Sequence, residues 1–404
     1  MIDRAGDHKD TMPNFIPGLD LSRILFTEAV EPLLAERAHG LPYAAGLFGV
    51  GSDVLGYDTA RSMDHDWGPR LILMLDESDW DEWAPRLDGL FRQSLPRSVA
   101  GFPTGTAEFD TEPGTRHMTP TGDGEPVNHL IRITTVGRWF GGVGAPDTDT
   151  SAWITLPGEW LTNATLSATA GREPGPLDPE TWLTLPQQWL LEMMSGEIFR
   201  DDIGAVTRVR AALAWYPDDV WRYLMAAQWM RIDQLEPFVG RCGEVGDDLG
   251  SHLVAMTLTR DVMRLAFLLE RRYAPYPKWF GTGFQRLELA ASLTPHLDKA
   301  RFARTRNERE RGVVDAVVVL ANRHNDLGLT GWLDPAPRPF HERPFTVMSS
   351  ARFSAALLST ICDPAVRALP LHLGGLDQYL DSTDALANGS LHRAIREWMR
   401  DSES

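Results

Sequence analysis

The chain has 404 residues, a net charge of −17 and a pI near 5.1. That field repels phosphate backbones, which argues against a long nucleic-acid partner but leaves room for a locally basic cleft that takes one nucleotide. The only two cysteines, Cys242 and Cys362, point to a reducing compartment and away from a zinc cluster.

Hydrophobic residues make up 43% of the chain, enough for a large core, and the length suits two or three domains. The opening "MIDRAGDHKDTMPNF" lacks the apolar core of a signal peptide. No run approaches the ~18 apolar residues of a membrane helix. The expectation is a soluble cytoplasmic protein with no membrane partner.

Leu19 to Ala38 has helical spacing of apolar residues, with Asp20 or Ser22 as cap and Pro32 as a kink or break. Tyr43 to Gly51 is a short apolar run ended by glycines, and Gly68 to Leu75 is a second; both predict buried strands. Asp76 to Leu95 predicts an amphipathic helix with Asp79 as N-cap. Pro96 to Gly124 is rich in Gly, Pro, Thr and Asp and predicts loop with edge strand. His129 to Val136, "HLIRITTV", alternates polar and β-branched residues as a strand does. After Leu185 the segments "QQWLLEMMSGEIF", "LTRDVMRLAFLLERRY" and "GVVDAVVVLANRHNDLGL" all predict helices. The expected fold is α+β: a mixed α/β domain over residues 1–183, then an all-α domain over 184–404.

Asp64 and Asp66 flank His65 just before the second apolar run. On a regular strand both carboxylates would share one side, where like charges repel unless a cation lies between them. Mg²⁺ takes such carboxylates together with phosphate oxygens. Upstream, Gly51 permits close backbone approach, and the amides of Gly51 and Ser52 would donate to phosphate oxygens at a turn. Strand, Gly-Ser, spacer and Asp-x-Asp therefore form a coherent nucleoside-triphosphate site.

These residues resemble the DNA polymerase β-like nucleotidyltransferase superfamily, whose core is an apolar strand ending in Gly-Ser followed by an acidic x-separated pair leading into a strand. The strings "GSDVLGYDTARSMDHDWGPRL", "LAWYPDDVWRYLMAAQW" and "DVMRLAFLLERRYAPYPKWFGTGF" resemble an uncharacterised bacterial branch, domain of unknown function family 4037, over most of the chain. The resemblance implies a nucleotidyltransferase-type sheet, a nucleotide (ATP as the expected NTP) held by Gly51 and Ser52, Mg²⁺ held by Asp64 and Asp66, and a helical half that helps form the pocket for a small-molecule or protein acceptor. The superfamily also carries a third carboxylate on a neighbouring strand. The matching run here, "HLIRITTV", has no Asp or Glu. Glu108 or Asp110 would substitute for it; otherwise the site holds one metal, or the protein binds a nucleotide or partner without catalysis.

Further candidates are Arg70 and Lys278 on the nucleotide phosphates, where an ammonium acts as a point charge. Glu197 is a candidate base for the acceptor hydroxyl. Each has an ordinary surface reading beside it. "DHD" also fits the His-Asp pair of an HD-type metal phosphohydrolase, but that fold sets the pair on helices, whereas here a strand follows. Arg260 and Arg264 lie one helical turn apart and are expected to pair with carboxylates inside the bundle.

Overall fold

A computed structural model describes residues 13–141, 154–170 and 175–401. The first helix, α1 (Gly18–Leu25), passes through a π-turn (Phe26–Val30) into α2 (Glu31–Arg37). Pro32 explains the π-turn: it has no N–H to give, and the wider turn relieves its clash with the preceding carbonyl. Pro17 caps α1, leaving Asp20 in the first turn and Ser22 buried. The chain continues with β1 (Tyr43–Leu47), a 3₁₀ turn (Ala60–Asp64), β2 (Arg70–Leu75) and α3 (Trp80–Ser94). Two small hairpins follow, β3 (Ser98–Val99) with β4 (Phe102–Pro103), and β5 (Thr106–Phe109) with β6 (Glu112–Met118). Next come β7 (Leu130–Thr135), α4 (Val136–Gly141), α5 (Gly158–Ala170), α6 (Pro179–Leu183), α7 (Gln187–Met194), β8 (Glu197–Asp201) and α8 (Ala205–Ala212).

The chain forms two compact units, one of residues 1–176 with 191–214, the other of 177–190 with 215–404. In the first, a four-stranded sheet has the order β7-β2-β1-β8; β2 runs parallel to β7, and β1 runs antiparallel to both β2 and β8. Leu71, Leu73 and Leu75 point into a core shared with Leu21, Leu25 and Phe91, and the alternate residues Ile72 and Met74 are buried as well. Both faces of β2 are therefore covered, which is why its sequence is an unbroken apolar run. Each such side chain contributes about 1.5–3 kcal/mol. An exposed ion pair such as Arg86–Glu82 contributes ~0–1 kcal/mol, so burial and not surface charge holds this unit.

"SGEIF" forms no helix. Gly196 stands at φ +68, ends α7 and lies so close to the Leu47 carbonyl that a Cβ would collide with it. The chain then enters β8, pairing Glu197 with Leu47. Lateral sheet bonding overrides the helical spacing of the preceding residues.

The second unit is helical: α9 (Asp218–Glu244), α10 (Asp248–Leu269), α11 (Pro277–Phe284), α12 (Ala290–Arg301) and α13 (Arg306–Asp326), then a two-stranded ribbon, β9 (Arg338–Pro339) with β10 (Thr346–Val347), and α14 (Ala351–Thr360). No described helix is long and apolar enough to cross a membrane. Trp229 stacks on Phe353 with ring centroids 4.5 Å apart, and Trp229 donates its Nε1–H to His324 Nδ1 at 3.3 Å. Burial pushes the His324 imidazole down to about 4, so it stays neutral and able to accept at neutral pH.

α14 is capped from a distance. Glu236 on α9 accepts the backbone N–H groups of Met348, Ser349 and Ser350, and Asp233 accepts that of Ala351 at 2.8 Å. These satisfy donors that a helix start leaves open. Burial pushes the Glu236 carboxyl up to about 7, although the N–H donors pull the other way. A carboxyl whose folded pKa is raised holds its proton longer in the folded state, so its stabilisation falls as pH rises from about 4.5 to about 7. The melting temperature of the wild type relative to Glu236→Gln is therefore expected to fall between pH 5 and pH 7.5, read by differential scanning fluorimetry. A difference that stays constant across that range would contradict the assignment.

Candidate functional site

The connection from β1 to β2 carries the acidic pair and the Gly-Ser step at one end of the two central strands, because β1 ends where its antiparallel neighbour β2 begins. Residues 52–56 form a turn, in which Leu55 donates to the Gly51 carbonyl at 3.3 Å and Tyr57 to that of Ser52 at 2.7 Å. Among the described residues, no acceptor faces the amides of Gly51 and Ser52.

Gly51 has a second reason to be glycine. It stands at φ +139, and a Cβ there would collide with the Arg70 guanidinium and the Asp53 carboxylate. Arg70 grips Asp53 with two bonds, Nε to Oδ2 at 2.8 Å and Nη2 to Oδ1 at 2.5 Å, and also reaches the Val50 carbonyl at 2.8 Å. Asp53 is 2% exposed and also accepts the Val54 N–H at 3.0 Å. The Arg70 guanidinium thus pins the loop, and its charge is matched within the fold. Asp58 anchors the same loop to α1, accepting the Gly18 N–H at 2.7 Å and the Trp67 Nε1–H at 3.0 Å. Ser22 of α1 donates to the Arg70 carbonyl at 2.6 Å. Helix α1 and the loop therefore form one hydrogen-bonded layer.

Asp64 and Asp66 do not lie on β2. Asp64 ends the 3₁₀ turn, and Asp66 is at φ +48, short of the strand start at Arg70. The alternation of a strand therefore does not set their directions. Asp66 is placed by β6: its N–H donates to the Arg116 carbonyl at 2.7 Å, and its Oδ1 accepts the Arg116 N–H at 2.9 Å. Those two bonds offset the strain of a positive φ. Asp64 is exposed, with Oδ1 at 2.9 Å from His65 Nδ1. Both carboxylates face solvent on the same loop.

Glu108 lies on β5, exposed, opposite Arg116 in the register. It is therefore one strand away from the segment that holds Asp66. Among the described residues no group of three or more His, Cys, Asp or Glu is arranged to hold a metal ion. β7 lies parallel to β2 with Arg132 opposite Ile72. Glu197 is on the sheet and not on a helix; it forms an ion pair with Arg23 and is half-exposed. Lys278 lies on α11 in the other unit, exposed, with Nζ over the Trp279 ring at 5.2 Å. Asp53, Asp58 and Trp67 organise the site, and the sequence pattern does not point to them. A buried Asp–Arg pair separated by sixteen intervening residues leaves no periodic signal.

Residues 182–280 match the model of a family described as a domain of unknown function (DUF4037). That stretch holds most of the helical strings quoted above and none of Gly51 to Leu71. Among curated proteins none matches the chain.

The Asp53–Arg70 pair is buried on the Asp side and about a fifth exposed on the Arg side. Arg70→Met alone leaves a buried carboxylate unpaired and is expected to destabilise the first unit by ~3–5 kcal/mol. Asp53→Asn combined with Arg70→Met removes both charges and should recover most of that loss. Urea unfolding of the two variants tests this, and a double variant no more stable than Arg70→Met would show that the pair is not coupled.

Proposed function

We propose that the first unit binds a nucleoside triphosphate with Mg²⁺ and transfers a nucleoside monophosphate to an acceptor hydroxyl. The observation that carries this reading is the single β1–β2 connection, which presents two unclaimed amides at Gly51 and Ser52 and two solvent-facing carboxylates at Asp64 and Asp66. The amides suit phosphate oxygens. Mg²⁺ is satisfied by one or two carboxylates when phosphates and waters complete its shell, so the donor set fits a cation that arrives with the triphosphate; bound there, the ion would neutralise phosphate charge. The acceptor oxygen forms a bond to the α-phosphorus, the bond from that phosphorus to the bridging oxygen breaks, and pyrophosphate leaves with its electron pair. The acceptor proton passes to solvent. Positioning and charge neutralisation supply most of the acceleration in such reactions. Glu197 is engaged by Arg23 and is given no part as base. The placement in the polymerase β-like superfamily rests on the motif and on this loop.

A second reading, nucleotide binding without turnover, is favoured by one feature: β7, the neighbour of β2, reads "LIRITT" and supplies no carboxylate. Calorimetry with Mg·ATP and Mg·GTP, with and without Asp64→Asn or Asp66→Asn, tests the shared part of both readings. Either variant is expected to weaken Mg-dependent binding by about tenfold or more, equivalent to roughly 1.4 kcal/mol. Unchanged binding in both variants would sink both readings. Pyrophosphate release with an acceptor panel then separates transfer from binding alone.

A further inference from the structure

The helical unit contains a cleft of about 360 Å³ between α10, α11 and the segment from Asp377 to Leu386. That volume is at the small end of small-molecule pockets, which span roughly 300–1,000 Å³. Met263, Leu268, Phe280 and Leu380 give it apolar walls; Arg260, Arg264, Asp377 and Asp381 give it charge.

Arg264 is the anomaly. Its side chain is 16% exposed, and its five N–H donors make no hydrogen bond among the described residues. Asp381 Oδ1 stands 3.8 Å from its Nη2, and that oxygen is already held by Arg260 Nη1 at 2.8 Å. The Nε of Arg260 is also buried without a partner among the described residues. Arg309 of the same unit, 0% exposed, is bonded through both Nη atoms, to Ser251 Oγ at 2.6 Å and to Asp248 at 2.9 Å. The side-chain amides of the cleft are bonded too. Gln228 donates to Asp261 Oδ1 at 3.0 Å, Gln378 to Gln228 Oε1 at 2.9 Å, and Gln187 accepts the Ala274 N–H at 2.8 Å. Asp377 accepts the Gln187 N–H at 2.9 Å. The unspent donors of Arg264 therefore stand out in this polar lining: its guanidinium has a carboxylate near it but no hydrogen bond, and a ligand oxygen in the cleft could accept from it.

The charges identify the anion. Two arginines face two aspartates, so the lining is balanced, and a dianionic phosphate would meet more repulsion from Asp377 and Asp381 than a singly charged carboxylate on the unspent donors of Arg264. A carboxylate also fits the planar fork of Arg with two parallel bonds. We propose that this cleft binds a small carboxylate with an apolar or aromatic body, its carboxylate on Arg264 and its body against Phe280 and Met263. The site lies within the helical unit and does not depend on the nucleotide reading of the first.

Calorimetry and ligand-observed NMR on the full chain test it with 3-phenylpropionate, its primary amide and phenyl phosphate. The acid is expected to bind, the amide at least tenfold more weakly, and phenyl phosphate more weakly than the acid. Arg264→Met should lose the acid at least tenfold. Gly281→Leu keeps every charge and fills the cleft from α11, where a Cβ meets nothing within 4 Å; it should also abolish binding and guards against misfolding of the first variant. Equal binding of acid and amide, tighter binding of phenyl phosphate, no binding of the acid, or unchanged binding in Gly281→Leu would each overturn the proposal.

Discussion

The bidentate pair between Asp53 and Arg70 is the constraint on which the rest of the first unit's site depends. Arg70 is the first residue of β2, and Asp53 follows the Gly-Ser step, so the pair ties the start of one strand to the turn after its neighbour. Taking two charges from water is costly, and only good geometry with further hydrogen bonds offsets it. Both conditions hold here: the carboxylate also accepts a backbone N–H, and the guanidinium also reaches a backbone carbonyl. Gly51 is the residue that lets the pair close, since any side chain there would occupy the same space. With the loop pinned from inside, its outer side is left to Ser52, Asp64 and Asp66.

A similar division of labour appears among the acidic residues of that loop. Asp53 and Asp58 turn inward and hold structure, while Asp64 and Asp66 turn outward. Asp66 is the intermediate case, exposed but fixed through Arg116 of β6. That attachment gives the outward carboxylate a defined position without a strand to hold it, which a site for a cation and a phosphate chain requires. The helical unit shows the opposite arrangement. The amides that line its cleft are bonded to their neighbours, and the group left without a hydrogen bond, Arg264, faces open volume.

Much of the fold was legible in the residues. The two apolar runs became β1 and β2, "HLIRITTV" became β7, and the long apolar-periodic segments became α3, α10 and α13. These are cases in which burial on one face or both imposes a pattern on the chain itself. β8 was not legible, because the residues from Glu197 to Asp201 carry no alternation strong enough to oppose the helix before them. Its strand state comes from its pairing with β1. The α1–α2 helix was legible in extent, while the way it absorbs Pro32, through a π-turn, required the packed backbone to choose among several possible breaks.

Of the candidate site, the sequence by itself determined the inventory: a Gly-Ser step after one buried strand and an acidic pair before the next, because composition and order are local properties. The tertiary structure decided what each residue does. It placed Asp64 and Asp66 off the strand, matched Arg70 to Asp53, matched Glu197 to Arg23, set both Arg260 and Arg264 beside Asp381, and left Arg264 without a hydrogen bond. Charge partners are chosen by distance in space, and in this chain those partners lie from seventeen to more than a hundred and seventy positions apart. No periodicity spans such separations, so only the folded chain reveals which charges are already paired and which remain open to a ligand.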